Sequence, residues 1–435
     1  MSLKYFGTDG IRGKAFEHPL TRRDVARWGQ SWSEVALEHK IDTLILGHDP
    51  RVSSVPLLEA FISLIKPSLR LVYLGMVPTP VLAYETSNSP RSWGVMFSAS
   101  HNPYEDNGIK GFSSSGEKLE EAIESAIENS FDSTSFDDSH QINFSALPDI
   151  QDHTYLRTHE PMSLPKAWRI AIDCAHGAAS NIAKDLFLGE NIQWIGTPAD
   201  GKRINYQVGC THLETLQNII RANKLDFGFA FDGDADRCLF VDSQGEVFDG
   251  DQILWLLLRD RIRTGQPPSG AVGTVMTNGA LEDLITKAGI PFLRTPVGDK
   301  FILRAMATLN YPLGAEASGH VIQKDLGPTG DGLATALSVC KIIRDIGFQN
   351  VFGSRFTPYP HQLISLTTKF KKPIEQCGSL NQVLHALATE FPNLRTVIRW
   401  SGTENKIRLM AEAPDRHLVI MALERLQQAA LTDLN

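Results

Sequence analysis

Apolar and polar positions come in blocks along the first third of this chain. Thr43–Gly47 is an apolar, β-prone run that stops at the polar loop His48-Asp49-Pro50-Arg51. Leu71–Leu74 and Gly94–Phe97 repeat the pattern, with an amphipathic stretch over Val55–Ile65 between the first two runs. Strand-like runs alternating with helical periodicity predict a parallel α/β sheet. Ser130–Ser145 is rich in Ser and Asp without periodicity, and reads as a surface linker with a domain boundary a few residues beyond.

The pattern then restarts. Trp168–Asp173, Ile192–Ile195 and Phe227–Phe231 are predicted strands, and Asp249-Gly250-Asp251 precedes a helix over Gln252–Arg263. A third unit opens near Val272–Met276 and carries Gly314–His320, then Pro328–Gly332 before another helix. The last seventy or so residues differ in kind. They read as strand Gln362–Thr368, helix Leu380–Glu390, strand Thr396–Trp400, strand Lys406–Glu412 and a terminal helix, a small α+β domain. The expected divisions are 1–150, 151–249, 250–358 and 359–435. Three consecutive strand–helix restarts point to an internal structural repeat.

Composition narrows this little. A chain of 435 residues with 42% hydrophobic and 21% charged positions is a globular chain of two to four domains. Its net charge of -8 argues against a nucleic-acid surface. No apolar run approaches a membrane span: Ile253–Leu258 stops at Arg259. Five scattered cysteines without finger or redox spacing fit a reducing compartment, and Lys4, Asp9 and Arg12 do not read as a signal peptide, so the expected location is cytoplasmic.

Chemistry enters at two places about 130 residues apart. Phe97-Ser98-Ala99-Ser100-His101-Asn102-Pro103-Tyr104 offers a hydroxyl on a tight polar turn. Asp232-Gly233-Asp234-Ala235-Asp236-Arg237 offers three carboxylates at alternate positions, directly after a strand. Carboxylate oxygens suit a hard cation such as Mg2+, and three of them so close repel without one. Gly233 is expected to supply a positive φ. The EF-hand alternative fails, because its sixth and twelfth positions would be Arg237 and Ser243. Ser100 is a weak nucleophile unless activated, and no G-x-S-x-G elbow surrounds it. On local sequence a plain serine-rich turn remains the alternative. A nucleophilic hydroxyl together with a metal cage is the minimal kit for moving a phosphoryl group.

Two further loops carry polar chemistry. Arg399-Trp400-Ser401-Gly402-Thr403, with Arg408 beyond it, has the guanidinium, hydroxyl and backbone donors of a phosphate cradle. Glu316, Ser318 and His320 alternate on a glycine-bounded loop and suit hydrogen bonding to sugar hydroxyls. A hairpin turn and a surface turn are the respective alternatives. Walker A and G-x-G-x-x-G patterns are absent, so no nucleotide cofactor is implied.

Taken together, these motifs resemble the α-D-phosphohexomutase superfamily nearly end to end, and within it the bacterial phosphoglucosamine mutase branch. Lys4–Gly13, Asn102–Lys110, Asp249–Leu254 and Val297–Lys300 carry the resemblance to that branch. It implies an α/β fold of four domains around a central cleft, three sharing a mixed α/β sheet topology and a smaller C-terminal α+β domain. It implies that Ser100 works as a phosphoserine, that Asp232, Asp234 and Asp236 hold one Mg2+ with a phosphoserine oxygen, and that Arg12, Lys110 and Arg237 line the transfer centre. Glu316 and Ser318 would grip the sugar, with His320, Lys110 or water moving protons. Arg399, Ser401, Gly402, Thr403 and Arg408 would hold the phosphate that is not reacting. The implied activity interconverts glucosamine 6-phosphate and glucosamine 1-phosphate through a hexose 1,6-bisphosphate, feeding amino-sugar nucleotide and cell-wall precursor synthesis. The partner is then a small phosphosugar, with no nucleic acid and no membrane, and the chain a monomer or homodimer. Ala317, Trp400 and Asn405 depart from the family pattern. Ala317 leaves phosphomannomutase or phosphoglucomutase activity as the alternative. Outside the mutases, a silent sugar-phosphate binder could dispense with Ser100 and the three Asp residues, and a phosphatase would release phosphate.

Overall fold

The computed structural model describes residues 3–133, 153–400 and 405–434. The chain forms two compact units, one of Met1–Val272 with Thr295–Arg355, the other of Gly273–Arg294 with Phe356–Asn435. The first unit contains two α/β sheets and the greater part of a third. In the first sheet the strand order is Phe6–Gly7, Gly10–Lys14, Asp106–Phe112, Ser92–Phe97, Thr43–His48, Arg70–Met76. Thr43–His48 runs parallel to both Ser92–Phe97 and Arg70–Met76, and all six of its residues are buried, as befits a strand covered on both faces. The other pairings are antiparallel, so the sheet is mixed.

Asp106–Phe112 is a strand that hydrophobic periodicity does not disclose, because Gly108 and Gly111 interrupt it. A Cβ on Gly108 would stand 2.7 Å from the Ser98 carbonyl oxygen, and one on Gly111 would collide with Leu119 and Trp32. Close approach, not strand propensity, requires glycine there. Helix Arg22–Glu38 starts at Thr21, whose hydroxyl accepts the Asp24 N–H, and packs on helices Ser54–Ile62 and Glu121–Ser133. The last of these takes in Ser130–Ser133. The rest of the expected linker, and the boundary beyond it, lie outside the described residues.

The second sheet runs Ile192–Ile195, Ile170–Asp173, Phe227–Phe231, Cys238–Asp242, Val247–Phe248, with the first three parallel. Its first strand in sequence begins at Ile170 and not Trp168, because the Trp168 N–H closes a turn on Pro165. In the third sheet, Ala271 and Val272 of strand Ala271–Thr274 pair in parallel with Leu313 and Gly314, and Leu313–Ala315 pairs antiparallel with Val321–Gln323. Thr274 ends its strand two residues early, where Thr277 turns the chain by exchanging hydrogen bonds with it.

All three sheets share one device. A strand in parallel register hands over through a short loop to an antiparallel neighbour: Phe97 to Asp106, Phe231 to Cys238, Ala315 to Val321. Ser100, the Asp residues and Glu316–His320 occupy these three loops. The second unit holds the antiparallel sheet His361–Thr367, Lys406–Glu412, Arg395–Trp400. Helices Gly378–Glu390 and Arg416–Leu434 cover a core that includes Leu380, Leu387, Ile407, Leu409, Leu423 and Leu426. Among the described residues no helix is long and apolar enough to cross a membrane.

Candidate active site

Ser100 is fully buried and has φ 53°, left-handed for a residue with a Cβ. Its N–H donates to Ser98 Oγ at 2.9 Å, and its own Oγ donates to Asp232 Oδ2 at 2.6 Å. The first and second loops therefore meet at the hydroxyl picked out by the sequence. They also meet along the backbone. A Cβ on Gly233 would stand 2.6 Å from the Ser100 carbonyl oxygen. That contact corrects the expected role of Gly233: the positive φ of the Asp loop falls on Ala235, at 56°, and Gly233 is needed for close approach.

Asp232, Asp234 and Asp236 are buried, and one carboxylate oxygen from each lies within 4.8 Å of the others. Asp234 Oδ1 and Asp236 Oδ1 have no hydrogen-bond partner, although buried carboxylate oxygens nearly always find one. Two such oxygens facing a third carboxylate fit a hard divalent cation. Burial, then the charges of Asp236 and Asp234, raise Asp232 well above the ordinary carboxylate range. Burial opposes ionisation of Asp234 and Asp236 too. There Lys110 outweighs it, joined at Asp236 by His320 and Arg237, and both are held below their ordinary values.

The cations are built in from other elements. Lys110, on strand Asp106–Phe112 and nearly fully buried, donates to Asp234 at 2.8 Å and stands 3.3 Å from Asp9 and 3.6 Å from Asp236. Arg12, from strand Gly10–Lys14, pairs with Asp9 and donates to the Ala99 carbonyl at 3.2 Å and Asn102 Oδ1 at 3.3 Å. Arg237 Nε lies 3.8 Å from Asp236 and 4.0 Å from Asp232. Burial, then Arg237 and Arg12, lower His101 to about 3, so this neighbour of Ser100 is neutral near pH 7.

The third loop closes on the second. His320 Nδ1 is 3.7 Å from Asp236, and its Nε2 is 3.6 Å from Asp299 at the start of helix Asp299–Leu309. Burial disfavours the imidazolium, but Asp236 and Asp299 outweigh it and raise the His320 pKa. Glu316 Oε1 accepts the Gly298 N–H at 3.1 Å, and Ser318 Oγ is buried without a partner. Lys118 is a participant that sequence reading missed. It bridges Asp9 and Asp299 at 2.5 and 2.7 Å. Asp9 and Asp299 do stand inside the motifs singled out in the sequence, but Lys118 carries no local signal. Counting it, four cationic side chains (Arg12, Lys110, Lys118, Arg237) stand among the carboxyl groups of Asp9, Asp232, Asp234, Asp236 and Asp299.

In the second unit, Arg399 and Arg408 are direct cross-strand partners, both half-buried. Like charges placed opposite one another destabilise a sheet unless an anion lies between or near them. Of the departures noted in the sequence, the Trp400 indole donates to the Lys372 carbonyl at 2.9 Å, and the Asn405 carbonyl accepts the Thr368 N–H at 3.0 Å. Ser401, Gly402 and Thr403 lie outside the described residues.

Four family models match the chain in order. They are phosphoglucomutase/phosphomannomutase alpha/beta/alpha domain I over residues 3–138, domain II over 155–245, domain III over 249–354, and the C-terminal domain over 366–425. A phosphoglucosamine mutase of Pseudoalteromonas atlantica is 37% identical over 425 residues, covering 95% of this chain and 94% of that protein. One of Histophilus somni is 37% identical over 445 residues, covering 98% of each. Among solved structures, a phosphoglucomutase/phosphomannomutase family protein of Burkholderia thailandensis matches with TM-score 0.82 at 20% identity, covering 100% of this chain and 99% of that one. The Aspergillus fumigatus N-acetylphosphoglucosamine mutase, in complex with GlcNAc-6P and magnesium, matches with TM-score 0.62 at 17% identity, covering 100% and 96%. At those identities the structural matches speak for the fold.

Proposed function

The chain belongs to the phosphoglucomutase/phosphomannomutase family, and from that membership we propose that it interconverts glucosamine 6-phosphate and glucosamine 1-phosphate. The relatives at 37% identity over nearly the whole chain support the amino sugar. The observation that carries the chemistry is Ser100 Oγ at 2.6 Å from Asp232 inside a buried three-carboxylate cluster.

In this reading Ser100 carries the phosphoryl group. Its P–O bond breaks as the phosphoryl passes to the free hydroxyl of the sugar monophosphate, giving a 1,6-bisphosphate. That hydroxyl gives up a proton, and Ser100 Oγ regains one. The bisphosphate turns over in the site, and its other phosphoryl returns to Ser100. Asp232 Oδ2, already the acceptor of the Ser100 hydroxyl hydrogen, is placed to take that proton on the return. His320, held between Asp236 and Asp299, serves the sugar oxygen. Arg12, Lys110 and Arg237 supply fixed positive charge, which costs no reorganisation when charge shifts. Asp232, Asp234, Asp236 and an oxygen on Ser100 would hold Mg2+, which neutralises phosphoryl charge and polarises phosphorus when bound. Glu316 and Ser318 orient the sugar. Arg399, Arg408 and the Ser401, Gly402 and Thr403 donors bind the phosphate that is not reacting.

The test is a coupled assay of the purified protein on glucosamine 6-phosphate, primed with a hexose 1,6-bisphosphate, beside mannose and glucose phosphates. Preferred turnover of the amino sugar is expected. Faster turnover of mannose or glucose phosphate overturns the sugar assignment, and net phosphate release overturns the mutase.

A further inference from the structure

The polar loop His48–Arg51 ends the strand Thr43–His48, and the reaction above makes no use of it. Arg51 is 2% exposed, and its side chain is wholly spent on one task. Nε donates to Asp49 Oδ2 at 2.9 Å. Nη2 donates to the Ser100 carbonyl at 3.0 Å and the Asn102 carbonyl at 2.8 Å. Nη1 donates to the Asp106 carbonyl at 3.1 Å and to the Pro103 carbonyl. A guanidinium has five N–H donors in a rigid fork, and here all five find acceptors. Four of those acceptors are backbone carbonyls of the segment that carries Ser100. The carboxylate behind the fork is fixed as well: Asp49 Oδ1 accepts the Arg51 N–H at 3.0 Å and the Ser54 hydroxyl at 2.9 Å. From the loop after strand Ile192–Ile195, Asn205 Nδ2 reaches two of the same carbonyls, Ser100 at 2.8 Å and Asn102 at 3.2 Å.

We propose that Arg51, seconded by Asn205, is the positioning residue for phosphoryl transfer at Ser100. It holds the Ser100 backbone in the left-handed conformation that aims Oγ at Asp232. Residues with a Cβ keep that conformation only where their surroundings over-determine it, and the Ser100 carbonyl is gripped from two directions. Arg51 meets backbone carbonyls and not Oγ, so it acts through the loop and does not touch the reacting atoms. A lysine keeps the charge but is a compact donor that cannot span four carbonyls set around a planar fork. The groups assigned to sugar and distal phosphate lie on other loops, so the loss belongs in kcat and not in KM. The inference rests on the reading that Ser100 carries the phosphoryl group.

Arg51→Lys, Asn205→Ala and Ser100→Ala, measured together, separate the two. For Arg51→Lys the expected result is a fall in kcat of about 10²-fold, the cost typical of a small misplacement of reacting atoms, with KM changed by less than about threefold. The Mg2+ titration midpoint should be unchanged. Phosphorylation of Ser100 by glucose 1,6-bisphosphate, followed by intact mass, should slow in parallel. Asn205→Ala should show the same signature at about tenfold. A folded Arg51→Lys with kcat within about twofold of the unmutated protein, or a loss confined to KM or to metal affinity, overturns the proposal. If Arg51→Lys does not fold, Asn205→Ala decides by the same criteria. An inactive Ser100→Ala beside a normal Arg51→Lys sinks the Arg51 assignment alone, whereas an active Ser100→Ala sinks the phosphoserine reading beneath it.

Discussion

The site depends on single atoms whose roles differ in how far they can be read in advance. Three Asp residues at alternate positions on a loop after a strand announce a cation site, because carboxylate chemistry and spacing suffice for that reading. Gly233 shows where such reading stops: its type was legible, but its reason, the Ser100 carbonyl at 2.6 Å from a would-be Cβ, belongs to a loop 130 or so residues away. Gly233→Ala should therefore push the two loops apart. The expected outcome is a fold retained by circular dichroism with mutase turnover reduced by about 10²-fold; normal turnover would show that the loops can separate at no cost. Ser100→Ala should abolish turnover to within the background of the coupled assay. Asp234→Asn removes one charge from the cluster and weakens the Lys110 pair at 2.8 Å. Isothermal titration should report weaker Mg2+ binding, and an unchanged isotherm would place the cation elsewhere.

Among the elements, helix Glu121–Ser133 has work that its composition conceals. Glu128 accepts the N–H groups of Lys4, Tyr5 and Phe6, at 2.6–2.9 Å, and so fastens the start of the chain to the helix. One turn earlier, Glu124 is buried, with Lys300, Lys118, Glu121 and Glu128 as its charged neighbours. Burial pushes Glu124 up to about 7, against the lesser pull of Lys300 and Lys118. A carboxyl raised in the folded state favours folding while protonated. Its contribution is whole below the unfolded value near 4.5 and is lost as pH climbs through about 7. Glu124→Gln should melt close to the unmutated protein near pH 4.5 and above it near pH 8, by a few degrees. A gap that does not widen with pH would show that Glu124 ionises freely. Sequence periodicity found several apolar elements but neither this helix nor strand Asp106–Phe112. Both are polar or glycine-rich for reasons that lie in their neighbours.

For the whole molecule, the repeat is in topology and not in residue type. Three loops at equivalent places in three sheets carry a hydroxyl, a cluster of three carboxyl groups and the set Glu316, Ser318 and His320, so the same backbone device holds unrelated chemistries. The buried cluster of Asp232, Asp234 and Asp236 predicts that the folded chain gains stability from a cation that the unfolded chain binds poorly. Saturating Mg2+ at about 100 times its Kd should stabilise by about 2.7 kcal/mol and raise Tm by a few degrees, and EDTA should reverse the shift. No shift would mean that the cage is empty in solution. Arg399→Ala should raise KM for the sugar phosphate by about tenfold or more while leaving that Mg2+ shift intact; the reverse pattern would assign the distal phosphate to other residues.

The sequence by itself determined the chemistry on offer: a hydroxyl loop, three alternating carboxylates, two polar loops, and the strands and helices whose apolar period is strong enough to be seen locally. It determined them because residue type and short-range spacing are local quantities. Tertiary structure alone decided that Ser100 Oγ donates to Asp232, that Lys118 sits among the acids, and that Arg51 grips the carbonyls of a loop 50 residues away. Those are encounters between distant segments. They exist only once burial of the sheets has fixed which loops share a face, and no window of sequence contains both partners.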